Sequence, residues 1–252
     1  MIHLKTEKEI EILSQGGKIL ASILKDLSVK TIVGTNLMDL ENVARDLAKK
    51  AGAYPSFLGY QPEGANKPYP AALCLSVNDV VVHGVPRNYF LKNGDVIKID
   101  MGVVYEGLYT DSAITLAVGS VSPIARKLIA STKNALEDAI MAVKKGRTLG
   151  DIGYTIEKRA KKDGFFVLRG LTGHGVGYEV HEDPSVLNYG KKGTGVELKE
   201  GMVLALEPMF SVSSQDIIQN RDESYSSADG SLTAQFEHTV AITKKGTIVL
   251  TR

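Results

Sequence analysis

Apolar residues recur three and four positions apart in four stretches of the chain, which places them on one face of an α-helix. The first stretch follows Thr6 and Glu9, which can form a capping box, and its Gly16-Gly17 pair predicts close packing. Glycine follows the second and fourth stretches, as helix ends favour. The predicted helices run from Thr6 to about Leu27, from about Thr35 to Gly52, from Ser122 to Lys144 and from about Thr148 to Lys162.

Shorter apolar runs bounded by Gly, Pro and Asn predict strands between these helices. The predicted strands are Ala72–Ser76, Val80–Val82, Val96–Val104, Leu108–Val118, Phe165–Leu168, Val203–Val212, Ala234–Ile242 and Thr247–Leu250. Two helices followed by hairpins, twice over, predict an α+β fold with helices covering one face of a curved, mostly antiparallel sheet. The polar segment Ser211–Leu232 is predicted to be a long loop, whose role stays open.

Two sets of residues occur twice. Leu91–Asp100 returns as Leu198–Glu207, and each copy closes an apolar run with a carboxylate. The second set is Gly34, Leu37, Asp39, Ala48, Lys49, Lys50 and Gly52, which returns as Gly146, Leu149, Asp151, Ala160, Lys161, Lys162 and Gly164. We interpret the repeats as a fused gene duplication, giving one domain over residues 1–252 with pseudo-symmetric halves of about 1–118 and 119–252. The alternative is that helix ends and strand edges simply look alike.

Composition narrows the class of protein. With 252 residues, 43% of them hydrophobic, the chain can bury a sizeable core. Thirty basic and twenty-nine acidic residues give a net charge of +1, so no overall field favours nucleic acid or an anionic membrane. A single cysteine, Cys74, excludes an intramolecular disulfide and a zinc site built on several thiolates. The charged start and the lack of a membrane-spanning apolar run predict a soluble cytoplasmic protein.

Each half offers one histidine in a His-Gly-Val tripeptide and two acids beside apolar runs. The histidines are His83 and His174, and the acids are Asp100 with Asp111 and Glu207 with Glu237. A carboxylate at the inner end of a strand is costly unless something pairs with it, so this inventory predicts a metal site at the seam between the halves. The glycines around His174 resemble a phosphate-binding loop, but no helix pattern or P-loop lysine follows, which excludes nucleotide binding.

The strands that carry Asp100 and Asp111 permit a geometric prediction. If Glu106-Gly107 is a two-residue turn between them, paired residue numbers sum to 213 and Asp111 faces Gly102. Both acids then share one face, with backbones roughly 7–8 Å apart, and leaning carboxylates can hold two ions about 3.5–4 Å apart. A register slip of one residue would send one acid to the opposite face. The alternative is two solvated acids on a wet sheet face.

Motifs from end to end of the chain resemble those of the methionine aminopeptidases. They are His83-Gly84-Val85-Pro86, Ile99-Asp100, Asp111, Gly173–Gly177, His181–Pro184, Gly201-Met202, Glu207-Pro208-Met209 and Ala234–Thr239. The short, uninterrupted form resembles the bacterial type I enzymes. The resemblance implies the pita-bread fold of the aminopeptidases and creatinase, and a single catalytic domain that removes an N-terminal methionine when the next residue is small.

The resemblance also implies the roles of named residues. Asp100, Asp111, His174, Glu207 and Glu237 would bind two divalent ions, with Asp111 and Glu237 bridging, and an oxygen-rich set of this kind suits Mn, Fe(II) or Co, with Zn possible. The ions would generate hydroxide from a bridging water and bind the free amine of the substrate. Glu207 would also shuttle the proton, His181 would hydrogen-bond the developing oxyanion, and His83 would contact the substrate backbone or leaving nitrogen.

The resemblance also covers the substrate pocket, where this sequence departs from the family pattern. Positions that resemble it are Phe57, Tyr60, Tyr69 and Cys74. The connection Gln61–Pro68 is longer than is usual in type I enzymes, Val180 stands where an aromatic residue is common, and the chain has no tryptophan. Cys74 is interpreted as a pocket-lining residue rather than a nucleophile, because no base lies near it in the sequence.

Two other functions remain open at this point. An Xaa-Pro peptidase of the same fold is favoured by Glu179-Val180-His181 and Asp100-Met101-Gly102, although such enzymes usually carry a further amino-terminal domain. A catalytically inactive binding protein of this fold is the other, although such relatives tend to lose ligands. The expected partners are peptides and nascent chains beginning with methionine, which would meet the protein at the ribosome, and the resemblance suggests a monomer.

Overall fold

The computed structural model describes residues 1–61 and 64–252. Within these ranges the chain forms four α-helices in the places that the apolar spacing predicts: α1 (Glu7–Lys30), α2 (Leu37–Lys50), α3 (Pro123–Ala142) and α4 (Leu149–Asp163). The predicted capping box starts α1, because the Thr6 hydroxyl accepts from the Glu9 N–H at 3.3 Å and the Glu9 carboxylate accepts from the Thr6 N–H at 2.7 Å. Gly164 ends α4 with a φ of 80°, a conformation that favours glycine.

Fifteen strands lie between and after these helices in the described ranges. They are β1 (Tyr54–Pro55), β2 (Cys74–Val77), β3 (Val80–Val82), β4 (Val96–Tyr105), β5 (Leu108–Ala117), β6 (Phe166–Val167), β7 (Thr172–Gly175), β8 (Glu182–Leu187), β9 (Val203–Leu206), β10 (Met209–Ser211), β11 (Ile217–Gln219), β12 (Tyr225–Ser227), β13 (Thr233–Gln235), β14 (His238–Thr243) and β15 (Gly246–Val249). Pairing between these strands is antiparallel, as predicted.

The strands form two principal sheets and two small ones. In the first half β4 is central, with β1, β2 and β5 bonded to it. In the second half the order is β15-β14-β9-β7-β8. The small sheets are β13-β10-β6 and β11-β12-β3, and the second pairs β3 of the first half with the β11–β12 hairpin of the second.

The structure corrects two strand predictions and one loop prediction. Val203–Val212 and Ala234–Ile242 are each divided into two strands, β9 with β10 and β13 with β14. Pro208 lies in the first break, and proline has no N–H to donate to a ladder. The prediction that Ser211–Leu232 is a loop was wrong, because it contains the β11–β12 hairpin, which pairs with β3. Its buried positions are mainly serines, so apolar periodicity could not reveal it.

Strand register repeats in the two halves. The pairs are Tyr54 with Val104 and Pro55 with Val103 in the first half, and Phe166 with Ser211 and Val167 with Phe210 in the second. The helical identities recur at an offset of 112 residues and the ten-residue segment at 107, and these pairs obey both offsets. A shared register over two offsets is what a duplication predicts.

Each half has its own apolar core. The first core joins α1 and α2 to β2 and β4, and the second joins α3 and α4 to β9 and β14. Ile114 of β5 packs against both cores, so the two halves meet along β5. Helices cover sheets in both halves, which is the predicted α+β arrangement. In the described part of the chain, no helix has the length and apolar character needed to cross a bilayer.

The predicted close packing at the glycine pair of α1 is present. A Cβ on Gly17 would overlap the carbonyl oxygen of Leu250, which is backbone and cannot rotate away. A Cβ on Gly16 would meet Tyr105 Cβ at 3.2 Å, a tight contact with a side chain. Gly17 therefore lets α1 lie directly on the chain that leaves β15.

We expect Gly17→Ala to lower the free energy of unfolding by about 1–3 kcal/mol, because a buried methyl group must displace backbone. Gly16→Ala is the matched control in the same helix and is expected to cost less. Denaturant unfolding of the two variants measures the difference. Equal stabilities would contradict the packing described for Gly17.

Candidate metal centre

The hairpin that carries Asp100 and Asp111 has the predicted register. Tyr105 pairs with Leu108 and Gly102 pairs with Asp111. The turn residues Glu106 and Gly107 have φ values of 48° and 81°, as the tight turns of two-residue hairpins require. The two-residue turn was therefore predicted correctly, and it fixes which face of the sheet the acids occupy.

One face of β4 and β5 is polar and the other enters the core. Asp100 pairs with Ala113 and lies two residues along from Gly102, so Asp100 and Asp111 share a face. The opposite face carries Ile97, Ile99 and Met101, all fully buried. A Cβ on Gly102 would overlap Ser56 Oγ, so glycine at position 102 makes room for the Ser56 side chain next to β4.

The second half brings its donors to the same place through hydrogen bonds across the seam. The Glu237 N–H donates to the Ala113 carbonyl at 2.9 Å, and Ser112 Oγ donates to the Glu237 carbonyl at 2.7 Å. The Asp111 N–H donates to Thr239 Oγ1 at 2.9 Å, and that hydroxyl donates to the Asp111 carbonyl at 2.7 Å. These bonds hold β5 against the chain around Glu237.

The donor atoms lie close together. His174 Nε2 is 3.5 Å from Glu207 Oε1 and 4.0 Å from Glu237 Oε1. Asp111, His174 and Glu237 each offer one donor atom, and these three atoms lie within 4.8 Å of one another. His174 Nδ1 lies 2.9 Å from the Gly175 carbonyl, which orients the ring with Nε2 toward the carboxylates.

Burial and mutual repulsion disfavour the charged forms of these acids. Burial raises the pKa of Asp111 to about 7. Burial and the neighbouring acids, Asp111 first among them, also raise the pKa values of Asp100, Glu207 and Glu237. Burial lowers the pKa of His174 to about 4, so its imidazole is neutral and can act as a ligand.

A metal ion fits these residues. Asp100 Oδ1 and Glu237 Oε1 are buried and have no hydrogen-bond partner among residues 1–61 and 64–252. Buried carboxylate oxygens are nearly always paired, and four clustered acids with one imidazole are ligand types of divalent ions. A divalent cation would satisfy these oxygens and offset the repulsion between the acids.

All eleven predicted site residues line one cavity of about 540 Å³. They are Phe57, Tyr60, Tyr69, Cys74, His83, Asp100, Asp111, His174, His181, Glu207 and Glu237. The His181 ring stands edge-on to His174 with centroids 4.5 Å apart, and His181 Nδ1 lies 3.0 Å from the Tyr60 hydroxyl. Burial, together with His174 and His83, lowers the pKa of His181 to about 3.

The two histidines paired by the tripeptide repeat do not occupy equivalent positions. His174 lies in β7 and pairs with Ala205 of β9, whereas His83 follows β3 with a φ of 60°. The first-half counterpart of Ala205 is Lys98, whose partner in β2 is Ser76. One half therefore supplies an imidazole where the other supplies a hydroxyl.

The remaining pocket residues form an apolar wall. Phe57, Cys74 and Val180 are buried together, with Tyr60 and Tyr69 packed against them. Burial and then Asp100 raise the pKa of the Cys74 thiol, which keeps it protonated. Of the connection Gln61–Pro68, residues 62 and 63 lie outside the described residues.

Some cavity residues were not predicted. Gln235 Nε2 donates to Glu207 Oε2 at 3.2 Å, and Tyr225 stands edge-on to His83 with centroids 5.8 Å apart. Gln235 belongs to a motif that the sequence analysis used, so its position could have been found. Tyr225 lies in the segment predicted to be a loop, and no signal in the sequence indicated it.

Comparison with known protein families identifies the class of protein to which this chain belongs. The model of metallopeptidase family M24 matches residues 11–244. The chain therefore belongs to metallopeptidase family M24. Relatives that match it over nearly its whole length are methionine aminopeptidases. The protein of that name from Aquifex aeolicus (strain VF5) is 44% identical over 256 aligned residues, covering 99% of this chain and 98% of the relative. That from Clostridium perfringens is 41% identical over 253, covering 100% and 99%.

Solved structures of related enzymes share the fold of this chain. Methionine aminopeptidase from Thermotoga maritima superimposes with a TM-score of 0.95 at 40% identity, covering 100% of both chains. The prolidase from Pyrococcus furiosus has a TM-score of 0.78 at 25% identity, covering 99% of this chain but 65% of its own. The predicted pita-bread fold and the predicted resemblance to the bacterial methionine aminopeptidases are confirmed.

The metal-free protein is expected to lose stability as the pH rises from about 4 to about 7. The pKa of Asp111 is about 7 in the folded protein and about 4 in an unfolded chain. Protonated Asp111 therefore stabilises the fold at low pH, and this contribution is lost as the pH rises through the folded pKa.

Tm values of chelator-treated wild type and Asp111→Asn measure this effect, because the amide cannot ionise. The wild-type Tm is expected to fall relative to the variant by roughly 5 °C across this range. The cavity histidines titrate in both proteins and cancel in the difference. If the Tm values of the two proteins change in parallel with pH, ionisation of Asp111 does not destabilise the fold.

Proposed function

We propose that this protein removes the N-terminal methionine from peptides and nascent chains whose second residue is small, using a pair of divalent ions. The observation that carries the proposal is the single cavity in which five metal-binding side chains meet an apolar wall. Relatives that are 44% and 41% identical over nearly their whole length, and named methionine aminopeptidases, support the choice of substrate.

The proposed ligands are Asp100, Asp111, His174, Glu207 and Glu237. Bound there, divalent ions supply Lewis acidity to the scissile carbonyl and lower the pKa of the attacking water. One imidazole among four carboxylates suits Mn, Fe(II) or Co, and Zn is also compatible. The free amine of the substrate would also bind to the ions, which is consistent with exopeptidase action.

Glu207 is proposed to move the proton. Its carboxylate is buried, and Gln235 Nε2 donates to its Oε2 atom at 3.2 Å. Burial and Asp111 raise the pKa of Glu207 above that of a free carboxyl group, which favours a role in proton transfer. Glu207 can therefore take a proton from water and deliver it to the departing amine.

His181 is proposed to donate to the carbonyl oxygen as it becomes negative. Burial keeps its imidazole neutral. If the Tyr60 hydroxyl donates to Nδ1, the proton of the neutral ring lies on Nε2, which can then donate to substrate. His83, which also lines the cavity, is proposed to contact the substrate backbone or the leaving nitrogen. Such donors act on charge that develops in the transition state.

The pocket is proposed to receive the methionine side chain. Phe57, Tyr60, Tyr69 and Cys74 line it, and Val180 is buried in the same apolar cluster. An unbranched thioether makes favourable contacts with aromatic rings. The lack of an aromatic residue at Val180 leaves the tolerance for other apolar side chains as a property to be measured.

An Xaa-Pro peptidase is the second candidate, because the prolidase from Pyrococcus furiosus shares the fold over 99% of this chain. The higher identity and TM-score of the methionine aminopeptidases favour the first candidate. The convergence of all five donors argues against an inactive binding protein. One catalytic domain, a monomeric state, a cytoplasmic location and action near the ribosome remain predictions.

We expect the protein to cleave a Met-Gly-Met-Met peptide after chelator treatment and addition of Mn²⁺, Fe²⁺, Co²⁺ or Zn²⁺, and to leave an Ala-Pro-Met-Met peptide intact. Mass spectrometry of the products measures both reactions, and chelator without added metal is the control. Cleavage of the Xaa-Pro peptide alone would replace the first candidate with the second. No cleavage of either peptide with any of the metals would contradict both.

His181→Ala is expected to lower kcat by roughly 10²–10³-fold, the usual cost of one oxyanion donor. Mn²⁺ binding to the metal-free variant is expected to stay near the wild-type level, because the proposed role involves substrate and not metal. Calorimetric titration with Mn²⁺ and peptide kinetics measure the two effects. His3→Ala, outside the cavity lining, is the matched control. A comparable loss of Mn²⁺ would make His181 a ligand.

A further inference from the structure

Lys98 is a fully buried lysine beside the proposed metal centre. It lies on β4, two residues before Asp100 and therefore on the same face of the strand. Among the described residues, its Nζ atom donates to the carbonyl oxygens of Asn78 (2.8 Å) and Thr233 (3.4 Å) and to the Thr233 hydroxyl (3.0 Å). Burial lowers the pKa of Lys98 to about 7, although the charge of Asp79 opposes the shift. Burying a lysine at this cost calls for an explanation.

The duplication makes Lys98 exceptional. Its counterpart in the second half is Ala205, which is also fully buried. Ala205 packs in the same kind of position, between β7 and β14, without any charge. A lysine is therefore not required to build this strand, and its presence in one half needs another explanation.

The acceptors of Lys98 join three segments that carry cavity residues. Asn78 lies in the turn before β3, which leads to His83. Thr233 begins β13, which carries Gln235 and leads to Glu237. The Thr233 N–H also donates to the Asn78 carbonyl at 3.1 Å. The Lys98 side chain thus connects β4 of the first half with β13 of the second.

Lys98 is the centre of a polar row that runs across the sheet. Ser76 of β2 and Thr115 of β5 are its partners on either side. Ser76 Oγ accepts from the Gly84 N–H at 3.1 Å, next to His83. Thr115 Oγ1 accepts from the Gln235 N–H at 3.0 Å and donates to the Gln235 carbonyl. The neighbouring row is Cys74, Asp100 and Ala113, so this row lies directly behind the proposed ligands.

We propose that Lys98 is a positioning residue of the metal centre: its buried amino group fixes β13 and the Asn78 turn against β4, and thereby sets Glu237 and Gln235 relative to Asp100. This role rests on the proposed function, because it concerns the same ligands. Groups behind a metal site that orient its ligands commonly change metal affinity or activity by about 10–100-fold when removed.

Lys98→Met tests the role, because methionine has similar length and apolar character but donates no hydrogen bond. We expect the Mn²⁺ affinity of the metal-free variant, measured by calorimetry, or its kcat on Met-Gly-Met-Met, to fall roughly 10–100-fold, with KM changed by less than about threefold. Thr31→Val is the control, since it removes a buried hydroxyl that donates to the Leu27 carbonyl at the end of α1 and lies outside the cavity lining. It should lower Tm without changing Mn²⁺ affinity or kcat.

The outcomes separate this role from simple structural support. Unchanged Mn²⁺ affinity and kcat in folded Lys98→Met, or a loss equal to that of Thr31→Val, would overturn the proposal. If Lys98→Met does not fold, Thr233→Val replaces it and is expected to weaken Mn²⁺ binding or kcat by roughly tenfold. Unchanged values in that variant would then overturn the proposal. Failure of the wild type itself to bind Mn²⁺ and cleave the peptide would instead contradict the proposed function.

Discussion

Repulsion among four buried carboxylates is the constraint on which the rest of this structure depends. Asp100, Asp111, Glu207 and Glu237 meet at the seam between two halves, where burial raises all four pKa values. Left to themselves, such groups would take up protons or move apart. A bound divalent cation would reverse the sign of this interaction, so the arrangement that disfavours charge in the metal-free fold is the one we propose for binding divalent ions.

The seam withstands this repulsion because neutral hydrogen bonds hold the backbone on both sides of it. Thr239 bonds both backbone groups of Asp111, and Ala113 exchanges backbone bonds with Glu237. The two halves are built alike but have diverged at the seam. Ser76 stands in the first half where His174 stands in the second, and Lys98 stands where Ala205 stands. Two similar halves thus support an asymmetric site. The second half supplies the His174 imidazole, and the first half carries the buried Lys98.

Much of this could be predicted from the sequence wherever a short-range rule determines the geometry. The Glu106-Gly107 turn fixes the register of β4 and β5, and with it the shared face of Asp100 and Asp111. The duplication then indicates that Glu207 and Glu237 meet them. The breaks at Pro208 and before Glu237 were missed, because apolar patterning runs through them. The β11–β12 hairpin and Tyr225 were missed as well, because its ladder buries serines, which periodicity counts as loop residues. The contacts of Lys98 join positions 135 residues apart, which no local pattern reveals.

The claim that the carboxylates form a cation site can be tested by anomalous diffraction from crystals of this protein grown with Mn²⁺. The predicted result is anomalous density enclosed by Asp100, Asp111, His174, Glu207 and Glu237. Density only elsewhere on the molecule, with the four acids protonated or paired among themselves, would contradict it.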